Sequence, residues 1–262
     1  MHNAAVVLIM VWSFGSQVLA GLMNGVSVVL QGSVLEMSQL QFGVDNITSY
    51  LAVCAGIWLF KRYLLNYNWR ATQVGTTTVV ALLNILWLVP ILTGFRDGWF
   101  TIFIDGTENF VQGITQVMIS MAVLEIAPVN LEATVYELLI SVTNSFLTLN
   151  VVVATQLMAV FTLAEVDRDN DDEGVNQRMA QYTVLVSAIN VFGALTCVWF
   201  FPNNRRQCHE WKAWGGRRCE VAVVALAISV LTLLYTLTNA VLTMIPATAC
   251  LKFVGGNGCG GE

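Results

Sequence analysis

The stretch GWFTIFIDGTENFVQGITQVMISMAVLEI, running from Gly98 to Ile126, decides how this chain folds. A helix needs about 20 apolar residues to cross the hydrocarbon core of a bilayer, and this segment is long enough. It nevertheless carries Asp105, Glu108, Gln112 and Gln116. Their offsets of 3, 7 and 11 put all four on one helical face. The segment therefore reads as a membrane-spanning helix with a single polar face.

The rest of the chain agrees with a bilayer as solvent. Hydrophobic residues make up 56% of the 262 positions and charged residues 11%, against about 25% charged in a soluble domain. The charges cluster in short segments between long uncharged runs, the pattern of spans and loops. Six further segments qualify as spans: Ala5–Leu30, Phe42–Phe60, Thr72–Thr93, Ala133–Leu163, Tyr182–Phe201 and Cys219–Ile245. The predicted fold is an all-α polytopic transmembrane bundle. Pro90, Pro128, Pro202 and Pro246 fall at or near span ends, where a missing N–H costs little. Trp58, Trp69, Trp87, Trp99 and Trp199 also lie near the ends, as interfacial aromatics do. The first span lacks the Lys or Arg of a signal peptide, and its apolar character continues to Leu30, so it reads as a retained helix.

Orientation follows from the basic residues. Lys61, Arg62, Arg70, Arg205, Arg206, Lys212, Arg217 and Arg218 lie in one set of loops, which is expected to be cytoplasmic. The N-terminus is then cytoplasmic and the tail after the seventh span extracytoplasmic. A seven-helix receptor would place this basic set on the wrong side. Cys250 and Cys259 share the tail, either as a disulfide or as two thiols.

An ionisable group inside a membrane is costly and is a functional hypothesis by default. Besides the four residues of the fourth span, the fifth carries Glu137, Ser141, Asn144 and Thr148, again on one face. The first has a weaker stripe of Ser13, Gln17, Asn24, Ser27 and Gln31. The second opens with Asp45, Asn46, Thr48 and Ser49; Asp45 is either a cavity residue or an interfacial helix cap. The third and sixth spans are poorer in such groups, with Asn84 and Asn190 nearly alone, and are expected to pack peripherally. Polar faces on neighbouring helices suggest a shared water-filled cavity; dry interhelical hydrogen bonding is the alternative. With no Lys or Arg in the interior to pair with the carboxylates, proton coupling is a reasonable expectation.

Other signals are weaker. Asp167, Asp169 and Asp171 begin like a calcium loop, but Asp172 replaces the required Gly and Arg178 the closing Glu, so a solvated acidic loop is expected. The glycosylation sequon at Asn46 sits too close to the membrane to be used. Gly21 and Gly25 are spaced as a helix-packing pair. No phosphate-binding, zinc-protease, nucleophile-elbow or dinucleotide fingerprint is present. Neither an enzyme, a cofactor, a metal site nor a nucleic-acid partner is expected.

The stretch from Ala127 to Asn144 resembles the signature of the folate–biopterin transporter family, within the major facilitator superfamily. Pro128, Glu132, Ala133, Thr134, Tyr136, Leu138, Leu139, Ser141 and Asn144 carry the likeness. Asp105 looks like that family's acidic residue in the preceding helix. Lys61-Arg62-Tyr63 and Asn68-Trp69-Arg70 look like its basic loop. Leu131 stands where the family has Gly, and Glu137 where most members have a small residue. The resemblance is best from Gln39 to Phe161. It implies two six-helix halves, ion-coupled movement of folates, pterins or related solutes, and a cavity lined by the first, second, fourth and fifth helices of this half.

The expected organisation is then residues 1–202 as a C-terminal six-helix half, 203–218 as a basic cytoplasmic loop, 219–246 as an added transmembrane helix and 247–262 as an extracytoplasmic tail. Alternating access needs two halves, so the chain reads as a piece whose partner is the N-terminal half or a second copy. The expected partners are otherwise the lipid bilayer and a small organic solute. A membrane-embedded packing partner that transports nothing is the competing expectation.

Overall fold

The computed structural model describes residues 4–19, 22, 25, 37–93, 97–127, 132–161, 163, 173–213, 219–245, 248 and 251. In chain order the helices are α1 (Ala4–Val18), α2 (Gln39–Leu59), α3 (Trp69–Leu86), α4 (Leu88–Thr93), α5 (Gly98–Ile126), α6 (Glu132–Val160), α7 (Glu173–Cys197), α8 (Arg205–Ala213) and α9 (Cys219–Met244). No strand occurs among the described residues.

Local chemistry sets the helix ends. Ser38 and Gln41 form a reciprocal capping box: the Gln41 amide donates to Ser38 Oγ at 3.3 Å, and the Ser38 amide donates to Gln41 Oε1 at 2.8 Å. That cap starts α2 before the expected Phe42. Asn68 and Asp97 accept from the amides of Ala71 and Trp99 and start α3 and α5 in the same way. Pro90 has no N–H for the carbonyl of Leu86, and its ring crowds that carbonyl. The expected third span accordingly breaks at Trp87, between α3 and α4. α2 ends in a wider π turn, Phe60–Leu64, closed by the Leu65 amide on the Phe60 carbonyl at 2.9 Å. α7 begins at Glu173, well before the expected Tyr182. An acidic residue in the first turn suits the positive end of the helix dipole.

Among the described residues six helical stretches are long and apolar enough to cross a membrane: Gln39–Leu64, Trp69–Thr93, Gly98–Ile126, Val135–Val160, Gly174–Phe200 and Leu226–Met244. The first expected span is described as helix only over Ala4–Val18; the rest of it lies largely outside the described residues. So do the acidic loop with its calcium-like start, Pro128, Cys250 and Cys259.

The bilayer shows in which way these helices face. α3 buries Thr72, Gln73, Thr76, Thr77 and Asn84 and exposes Val79, Leu82 and Ile85. α7 buries Thr183, Ser187 and Asn190 and exposes Val184, Phe192 and Leu195. α9 buries Ser229, Thr232, Thr236 and Asn239 and exposes Leu231, Leu234, Leu237 and Val241. Polar side inward and apolar side outward inverts the amphipathicity of a water-soluble helix. In hydrocarbon, outward leucines cost nothing and inward polar groups find partners. The chain is an all-α polytopic membrane bundle.

α5 is the hub. It runs against α2 along much of its length and also meets α3 and α8. α3 packs on α7, α1 on α6 and α7, and α9 on α6 and α1. Two apolar clusters fill the ends of the bundle. One gathers Trp12, Phe60, Trp69, Met118, Ile126, Phe201 and Cys208; the other gathers Trp87, Ile91, Ile102, Ile104 and Tyr182. The third and sixth spans reverse the peripheral placement expected of them. In each, 44% of the apolar window is buried, against 6% for the second span. Their threonines and serines, discounted as weak polar signals, make the inward face.

The end that carries Lys61, Arg62 and Arg205 is clamped. The Trp69 amide donates to the Asn203 carbonyl at 2.8 Å. Arg70 Nε donates to the Phe201 carbonyl at 2.7 Å and Nη2 to the Trp199 carbonyl at 3.1 Å. The same guanidinium lies 5.7 Å from the centroid of the Trp199 ring. The segment read as a basic loop, 203–218, carries helix α8.

Candidate functional site

Glycine brings α2 and α5 together. A Cβ built on Gly56 would lie 2.1 Å from the Phe110 carbonyl oxygen, and one on Gly113 would lie 2.4 Å from that of Val53. Both obstacles are backbone, so only glycine fits. With no hydrophobic drive between helices in lipid, such close approach supplies dispersion contact in its place. Towards the other end, Asn109 Nδ2 on α5 donates to Ser49 Oγ on α2 at 3.1 Å. The same amide also donates to the Asp105 carbonyl at 2.8 Å.

Beside this seam the two helices frame an open groove of about 480 Å³. Asn46, Ser49, Tyr50 and Val53 of α2 line one wall; Asn109, Gln112, Gly113 and Gln116 of α5 line the other. Gln112 and Gln116 are exposed, as is Tyr50. Four carboxamides, a hydroxyl and a phenol ring therefore line a groove on the outside of two membrane-length helices. By contrast α3, α7 and α9 bury most of theirs, while α6 also carries an exposed polar stripe.

No family model, curated protein or solved structure matches the chain.

The expected residues fall in three places. Gln112 and Gln116 line the groove. Asp105 and Glu108 are half-buried on α5, off the lining. Glu108 shares a helical stripe with Thr115, seven residues on, whose hydroxyl lies 3.5 Å from that of Thr76 on α3. Asp105 thus sits towards the α2 side and Glu108 towards the α3 side. Glu137, Ser141 and Asn144 are exposed on α6, and none of them lines the groove. Ser141 Oγ donates to the Glu137 carbonyl at 2.8 Å, and Thr148 Oγ1 to the Asn144 carbonyl at 3.0 Å, so these hydroxyls are satisfied within their own helix. This groove holds part of the α5 stripe and none of the α6 stripe.

Asp45 is not the cap of α2, because Ser38 is. It lies inside the helix, and its Oδ1 is buried without a hydrogen-bond partner among the described residues. Ser13, the one member of the α1 stripe whose side chain is described, is buried in packing. Its Oγ lies 2.9 Å from Thr143 Oγ1 of α6, as dry interhelical bonding requires. Of the motif residues, Tyr136 is half-buried against the apolar cluster at the basic end; Glu132 and Thr134 lie in α6. Among the described residues no group of His, Cys, Asp and Glu is placed to hold a metal ion.

Asn109 and Tyr50 are the groove residues that a search for polar stripes misses. Asn109 stands one turn beyond Asp105, a spacing that marks it as a neighbour on the same face. Tyr50 reads as an interfacial aromatic and carries no separate signal.

Proposed function

We propose that the chain forms one wall of a solute pathway in an ion-coupled membrane transporter of the folate–biopterin type. The observation that carries this reading is the outward polar groove between α2 and α5, in a bundle where α3, α7 and α9 turn polar groups inward. Amides and hydroxyls facing hydrocarbon without partners are costly. A hydrated cavity removes that cost. Paired carboxamides beside a tyrosine ring suit a flat, hydrogen-bonding heterocycle, which the amides read at its edge and the ring stacks upon. The resemblance of the Pro128–Asn144 stretch supplies the solute class, folates and pterins. Asp105 and Glu108 are the carboxylates that carry the coupling proton.

Alternating access requires a second body across the cavity. In this reading it is an N-terminal half or a second copy of the chain. In this reading the end with the surplus of Lys and Arg faces the cytoplasm.

A second reading has its own support. Ser141, Ser145 and Thr148 satisfy their hydroxyls on their own helix, and Ser13 bonds Thr143 directly. A dry face of that kind suits a helical packing partner that transports nothing. Uptake of labelled folate or pterin in cells expressing the gene product separates the two. Transport predicts saturable uptake that falls at least tenfold in Asp105→Asn and in Gln112→Ala. Uptake that is absent, or unchanged by both substitutions, contradicts the assignment.

A further inference from the structure

We propose that α8 is a detachable strap across the basic ends of α1 and α5, with Glu125 as its catch. α8 lies between the sixth and seventh expected spans and packs on α5 and α1. Arg205, Cys208, His209 and Lys212 recur at helical spacing and share one face. Every one of them engages that end of the bundle. Arg205 Nε lies 2.6 Å from one Glu125 oxygen and His209 Nε2 lies 3.2 Å from the other. Lys212 Nζ donates to the carbonyl of Ala127, the residue that caps α5. Cys208 is fully buried in the apolar cluster, and Trp211 packs against it. The opposite face holds exposed Ala213 and the exposed pair Arg206 and Glu210.

The electrostatics favour this docking. Glu125 sits in the last turn of α5, where the helix dipole disfavours a carboxylate and favours cations. The side chain is only 11% exposed, so it needs both partners. A nine-residue helix is marginal alone in water. α8 keeps its form by being docked, and loses both docking and form when the catch opens. The basic ends of α1 and α5 separate only after α8 has left. This device rests on the geometry of that end and requires no solute.

Cys208 reports the state of the strap. Burial, with the nearby Glu125 charge, pushes its thiol up to about 12, so it is inert to alkylation while α8 is docked. The test is peptide-resolved maleimide labelling of Cys208 in the full chain in membranes, with the same chain unfolded in denaturant as reference. Unmutated Cys208 should label at least a hundredfold more slowly than in the unfolded chain. Glu125→Gln should speed Cys208 at least tenfold and leave the unfolded rate unchanged. Arg205→Ala with His209→Ala keeps the Glu125 charge beside the thiol; a purely electrostatic effect would slow labelling, whereas release of the strap speeds it. Rapid labelling of the unmutated chain, or no acceleration in either variant, overturns the proposal. Hydrogen exchange on the unmutated protein needs no variant. Amides 206–213 should exchange as one group, at least tenfold faster than amides 118–126 of α5. Exchange at the α5 rate would make α8 a fixed part of the bundle and sink the idea.

Discussion

Gly113 of α5 stands so close to Val53 of α2 that a Cβ on it would lie 2.4 Å from the Val53 carbonyl oxygen. The relationship fixes the spacing of the two walls of the groove. Gly56 repeats it from the other side, against Phe110.

Side chains at these two glycines must therefore push the helices apart. Gly113→Val should destabilise the protein by about 1–3 kcal/mol or more, as overpacking does, and should abolish any function of the groove. Gly75 of α3 is a control, because nothing lies within 4 Å of a Cβ built there. Gly75→Ala should be neutral or stabilise by about 0.5–1 kcal/mol through helix propensity. Thermal unfolding of the detergent-solubilised variants checks both. Equal melting temperatures for Gly113→Val and the unmutated chain would contradict the contact.

Arg70 ties the start of α3 to the end of α7 through two carbonyls and the Trp199 ring. Arg70→Ala should lower stability by about 2 kcal/mol, within the range for hydrogen bonds to charged groups. Arg70→Lys should recover less than half of the loss, because an ammonium cannot reproduce the planar fork. Full recovery in the lysine variant would show that charge alone matters at this position.

These contacts also mark where sequence reading succeeds. Span positions are legible because 20-residue hydropathy is a coarse and strong signal. The break at Trp87 is legible in principle from Pro90. The α2–α5 seam is not: Gly56 and Gly113 lie on different helices, and only three-dimensional approach explains them. α8 hides for another reason. Its composition is that of a basic loop, and it is helical because Cys208 and Trp211 dock and Glu125 lies opposite Arg205. The reversal at α3 and α7 has a single cause. In α3 and α7 the inward face is made largely of threonine and serine, which bond their own helix or a neighbour at little cost and so give a weaker signal than a carboxylate.

Cys208 predicts a pH dependence. Its thiol is pushed up to about 12 by burial, with the Glu125 charge a smaller contribution. An unfolded chain releases that proton near the ordinary value of 9. Below the ordinary value both states hold the proton, and the contribution to stability is complete. Between the two values only the folded state holds it, so stability falls as pH rises, by up to about tenfold in the folding equilibrium per pH unit. Melting temperatures of the unmutated chain and Cys208→Ala, taken from pH 8.5 to 10.5, should converge or cross as pH rises. Parallel curves would show that the thiol is not shielded.

The central claim is that the polar face between α2 and α5 meets water within the membrane. Cysteine placed at Gln112, labelled in intact membranes with a charged, impermeant maleimide, tests it most directly. Leu82→Cys is the matched control, because Leu82 is exposed on the outward apolar face of α3. The account predicts that Gln112→Cys labels at least tenfold faster than Leu82→Cys, and that bound solute slows it. Labelling of Gln112→Cys no faster than Leu82→Cys would mean a dry face, and the solute pathway would be wrong.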